Sequence, residues 1–119
     1  MIYDGHAYCV PDQRGRMGFE TRSAFIRHLH HGMAANFQPV WRLRDGERGD
    51  GSAMWDPSSG SGFDALRECG FRPGGHGRYE WIENGEAHVR QVMPPTNVIN
   101  GYSAEQLVAE MDHAGVDWS

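Results

Sequence analysis

Lysine is absent from these 119 residues: all 11 basic side chains are arginine, against 16 aspartates and glutamates, for a formal net charge of -5. That balance gives no general attraction to nucleic acid or to an anionic membrane, and neither is expected as a partner. The arginine bias is assigned to coding composition rather than to function. Cysteine is scarce as well, with only Cys9 and Cys69, which rules out a disulfide framework. Free thiols in a reducing, cytoplasmic setting are the default, and a single Cys9–Cys69 bridge stays open. No apolar run approaches the roughly 20 residues that span a bilayer, and no charged start leads into an apolar export segment. Apolar residues make up 39% of the chain, mean hydropathy is -0.64 and there are 16 glycines. These values describe one loop-rich domain at most and argue against a helical bundle.

What is present divides into three stretches: a first strand and helix over residues 1–35, a loop and hairpin over 36–100, and a helix leading into a further strand over 101–119. Thr21 or Ser23 can cap a helix whose apolar positions are Phe25, Ile26, Leu29 and Met33, with Gly32 suited to its end. Residues 37–43 read as a short extended piece. The following stretch to residue 62 has the glycine, serine, aspartate and proline content of a long loop. Residues 63–70 allow one or two helical turns closed by Gly70.

The clearest local signal is Asn84-Gly85 between two alternating segments, a two-residue hairpin turn. It pairs Glu83 with Glu86, Ile82 with Ala87, Trp81 with His88 and Tyr79 with Arg90, which puts Tyr79, Trp81, His88 and Arg90 on one face. A last helix begins at Ser103, in capping-box spacing with Gln106, and stops at Gly115. Tyr102 and Leu107 are placed as a hydrophobic staple, and Leu107, Val108, Met111 and Ala114 as its buried stripe.

The chemistry concentrates at the start, in "IYDGHAYCVP". Along a strand Asp4, His6 and Tyr8 project to one face, about 6 to 7 Å apart in steps. Burying an acid and an imidazole together without a partner is costly, and a divalent metal is one way to satisfy both. The plainer reading is a hydrogen-bonded histidine near a strand end.

This stretch looks like the first barrel strand of the amidohydrolase-related metal-dependent enzymes: an apolar pair, an acid, any residue, a histidine, and a proline soon after. "YSAEQLVAEMDHAGVD" resembles that group's segment before the second strand, and "GRYEWIENGEAHVRQVMPPT" is similar to an inserted hairpin and Met-Pro-Pro stretch of some members. The resemblance implies an α/β fold, the opening portion of a (β/α)8 TIM barrel with an inserted β-hairpin. Such a barrel takes roughly 250 residues, so the chain is expected to be an N-terminal part, α+β when taken alone. It implies a metal-dependent hydrolase, inactive by itself, or a nonoxidative decarboxylase of the same group. Tyr8 stands where commoner members carry a second histidine, which moves the ligand pair to Asp4 and His6 and leaves Tyr8 lining the pocket. Zinc is the foremost metal. The partner it implies is a small-molecule substrate of the carboxylate, lactone or amide class, and a homo-oligomer is admitted.

Other constellations are weaker. His76, between two glycines, could touch substrate from a lid. His28 and His31 share a helical face, a pattern commoner on solvated helices than in metal sites. No phosphate-cradling glycine motif and no nucleophile elbow occur. A reading of a different class makes the chain a small α+β interaction module whose contact surface is an exposed Tyr79 and Trp81 on the hairpin.

Overall fold

The computed structural model describes residues 12–95, 98, 101 and 103–116. Helix α1 spans Arg22–Ala34, followed by strands β1 Val40–Arg42, β2 Arg48–Gly49, β3 Arg72–Gly75, β4 Arg78–Glu83 and β5 Glu86–Gln91, and helix α2 Ala104–Ala114. The five strands form one sheet in the order β2-β1-β5-β4-β3, and every pairing is antiparallel. This overturns the barrel expectation. A (β/α)8 barrel is built from parallel strands that each need a crossover helix, whereas here β4 and β5 are joined directly by a tight turn and β1 and β3 flank them antiparallel. The expected first strand, with Asp4, His6 and Tyr8, lies outside the described residues, as does Tyr102 of the expected staple.

The β4–β5 hairpin has the register its turn dictates: Glu83 opposite Glu86, Ile82 opposite Ala87, Trp81 opposite His88 and Tyr79 opposite Arg90. Asn84 and Gly85 both take positive φ, 52° and 77°, the pair of left-handed conformations that a type I′ turn requires. Tyr79, Trp81, His88 and Arg90 do share a face, and that face is the core. Tyr79 is 2% and Trp81 1% exposed, so the expected aromatic contact surface does not exist. Both rings are covered because α1 lies over this side of the sheet. Ile26, Leu29 and Met33 pack on a cluster of Val40, Met54, Phe71, Tyr79 and Trp81.

Polar groups on the buried face are matched except for the Arg90 Nε, which is buried without a hydrogen-bond partner among the described residues. The Tyr79 hydroxyl donates to buried Gln13 at 3.0 Å, and the Trp81 indole N–H donates to Glu83 at 3.2 Å. Arg90 lies with its guanidinium carbon 5.8 Å from the Trp81 ring centroid and donates to the Met33 carbonyl. That carbonyl belongs to the last turn of α1, where a cation is favoured by the helix dipole.

Thr21 is the residue that caps α1, accepting from the Ala24 N–H at 3.0 Å. Gly32 does not end the helix, which runs on to Ala34. The stretch read as a long loop is ordered instead, by Asp45, Asp50 and Asp56, whose side chains accept from the N–H two residues ahead at 3.1, 2.8 and 3.0 Å. Such Asx turns replace ladder hydrogen bonds locally, and they organise β2 and the single 3-10 turns at Ser52–Met54 and Pro57–Ser59.

Helix α2 has the capping box as read, with Ser103 accepting from Gln106 and the Gln106 side chain accepting from the Ser103 N–H, and Gly115 closes it at φ 70°. Its stripe is not buried. Leu107 and Met111 are half-covered, Val108 is 54% exposed and no residue of the helix is buried.

Candidate functional site

A cleft of about 320 Å³ lies between α1 and residues 63–71. One wall is a single helical face, since Ser23, Ile26, Arg27 and His30 follow the spacing that lines up side chains on one side of a helix. Phe63, Arg67 and Phe71 stand opposite. The segment that carries them opens with one 3-10 turn at Gly62–Ala65, which ends before Gly70, where one or two helical turns were read from the sequence. It is fixed by the Trp55–Leu66 bridge and by Arg67 N–H to the Met54 carbonyl at 3.1 Å.

At the floor, His30 stacks on Phe71 with ring centroids 4.8 Å apart and 9° between planes, and Phe71 continues onto Tyr79 at 5.8 Å. His30 Nε2 lies 2.9 Å from the Met54 carbonyl oxygen and 3.8 Å from the Cys69 sulfur. A carbonyl can only accept, so Nε2 carries the proton and the neutral ring keeps Nδ1 as its acceptor. A histidine whose facing nitrogen is already a donor cannot take the thiol proton. Burial holds His30 below its usual value and pushes the Cys69 thiol up to about 11, with help from the Glu68 charge. The pair is therefore a neutral imidazole beside a neutral thiol, and it lacks the charge separation of a cysteine–histidine nucleophile. No sequence spacing signals this pair, because 39 residues separate its members.

The charges at the cleft mouth differ in how far they are compensated. Arg67 is bound to Asp56 at 3.0 Å, and the Ser58 hydroxyl and Arg67 hold that carboxyl well below the usual range. Glu68 turns back to accept from the Gly70 N–H at 3.3 Å. Arg27 lies over the Phe63 ring at 5.6 Å and donates to the Phe63 carbonyl at 3.2 Å.

A second, polar recess of about 430 Å³ lies where β1 and β2 meet the β4–β5 turn, among Arg42, Asp50, Glu83 and His88. His88 Nδ1 donates to the Glu86 carbonyl at 3.0 Å, and the ring is pressed under Gly49, where a Cβ would fall 2.6 Å from His88 Cδ2. Arg42 is held by Asp45 at 2.8 and 2.6 Å, and Arg44 reaches Glu86 at 3.2 Å.

Of the residues singled out from the sequence, Asp4, His6 and Tyr8 lie outside the described residues. His76 sits at φ 51° on the exposed β3–β4 turn, its Nδ1 3.2 Å from the Pro95 carbonyl and its N–H bonded to Val98 at 3.1 Å. It takes no part in the α1 cleft. His28 and His31 are separated by their ring partners, Phe19 at 5.1 Å and Phe63 at 4.7 Å. Among the described residues no group of three His, Cys, Asp or Glu side chains could hold a metal ion, and no helix is long and apolar enough to cross a membrane. No family model, curated protein or solved structure matches the chain.

Proposed function

We propose that the chain contributes Asp4 and His6 as metal ligands to a metal-dependent hydrolase related to the amidohydrolases, with a nonoxidative decarboxylase of that group as the alternative chemistry. The observation that carries this reading is the acid-x-histidine pair in "IYDGHAYCVP", with Tyr8 in place of a second histidine. Helix α2 supports it, because the segment that resembles the group's helix before the second strand is a helix with both caps in place. Among the described residues no three His, Cys, Asp or Glu side chains form a metal site of their own, so this reading builds the site on Asp4 and His6. Two ligands are fewer than the three a catalytic zinc normally takes from protein. A bound metal would supply Lewis-acid polarisation of a substrate oxygen.

Zinc affinity measured by competition with a chromogenic chelator tests the reading. Asp4→Asn and His6→Gln should each weaken binding at least tenfold, while Tyr8→Phe leaves it unchanged. Equal affinity in all four proteins, or no zinc binding by the parent chain, overturns the assignment.

A further inference from the structure

We propose that the cleft between α1 and residues 63–71 is a binding site for a small aromatic carboxylate. Its volume of about 320 Å³ is at the lower end for small-molecule sites and suits a single ring with one substituent. The ring would meet Phe63, 42% exposed and so already presented to solvent, and the apolar flank of Ile26 and Phe71. The charge selects the substituent. Arg67 is matched by Asp56 and Glu68 accepts from the Gly70 N–H while keeping its negative charge, whereas Arg27 has no carboxylate partner among the described residues and spends one N–H on a carbonyl, which makes it the group that would take the anion. A guanidinium fork is the group best shaped to take both oxygens of a carboxylate. Ser23, one turn before Arg27 on the same helical face, adds a hydroxyl donor. His30 adds no charge, because its ring is neutral and its Nε2–H is held by Met54. The proposal does not rest on the metal reading, since it uses only residues of α1 and of the 63–71 segment.

An NMR titration of the full chain with benzoate tests it, with benzamide as the uncharged ring and acetate as the charge without a ring. Benzoate should shift the amides of residues 23–30 and 63–71 and bind at least tenfold more tightly than either control. Arg27→Gln should abolish that preference over benzamide, and Arg27→Lys should keep part of it. Benzamide binding as tightly as benzoate to the parent protein overturns the proposal without any variant having to fold. So does benzoate that leaves the cleft amides unmoved, or a folded Arg27→Gln protein that binds benzoate like its parent.

Discussion

His30 donates its Nε2 proton to the carbonyl of Met54 across 2.9 Å, and that bond decides the tautomer of the ring, while burial decides its response to acid. Burial lowers the folded His30 from its ordinary value of 6.5, so the unfolded chain takes the proton first. Protons then favour the unfolded state. This contribution to stability is complete above about pH 6.5 and is lost as pH falls toward the folded value. The midpoint of urea unfolding is expected to drop between pH 7 and pH 5. His30→Phe keeps a ring beside Phe71 and loses the hydrogen bond, which costs about 0.5 to 1.5 kcal/mol at pH 7, since the Met54 carbonyl still accepts from the Arg67 N–H. Its stability should change less with pH over that window, and an equal slope in both proteins would refute the assignment.

The same geometry makes Cys69 a quiet thiol. With its sulfur buried and its proton held up to about 11, little thiolate exists at neutral pH, and the thiolate is the reactive form. In a Cys9→Ser background, Cys69 should resist iodoacetamide at pH 7.5 in the native protein and react once urea unfolds it. Rapid native alkylation would show the thiol to be activated.

Trp81 separates the core reading of the hairpin face from the interface reading. At 1% exposure, Trp81→Ala leaves a cavity and is expected to cost about 3 to 5 kcal/mol of unfolding free energy. Equilibrium denaturation reads this directly. A loss under about 1 kcal/mol would mean the ring is not buried.

Gly77 sits at φ 75°, and a Cβ there would fall 2.2 Å from the Met93 carbonyl oxygen, which is backbone and cannot swing aside. Both Val92 and Met93 donate their N–H to the Gly77 carbonyl at 2.9 Å, so the β4 start and the residues after β5 are held together at this point. Gly77→Ala combines left-handed strain with a backbone clash and should cost at least about 2 kcal/mol. Gly85→Ala, with positive φ but nothing near its Cβ position, is the control that carries strain alone and should cost less.

Helix α2 depends on its own ends, because none of its residues is buried. Ser103→Ala removes the acceptor for the Gln106 N–H, and the loss of about 1 kcal/mol should appear as reduced helicity rather than as a lower global midpoint. Circular dichroism read against the denaturation midpoint distinguishes the two outcomes.

Much of the local structure was legible because it is decided by neighbours in the chain. Asn84-Gly85 imposes a two-residue turn and with it the whole β4–β5 register. Thr21, Ser103, Gln106 and Gly115 mark helix ends through bonds that span only a few residues. Strand β3, "RPGG", carried no such signal, since it is a strand only through its pairing with β4, Arg72 against Glu80 and Pro73 against Tyr79. The resemblance to a barrel enzyme had recognisable motifs only at the two ends of the chain, and the hairpin it read as an insertion belongs to the antiparallel sheet itself.

The sequence by itself determined which residues turn, cap and alternate, because those are interactions of short range. It could not determine which side of the hairpin is inside. Strand β4 offers Tyr79 and Trp81 on one face and Ile82 on the other, both apolar, and only the packing of α1 buries the aromatic side and leaves Ile82 43% exposed. Nor could it bring His30 to Cys69 and Met54, or Arg27 to Phe63, since those neighbours are 24 to 39 residues apart along the chain. The cleft they form exists only once α1 has docked on the sheet, where covering apolar surface outweighs the local preferences of any one segment.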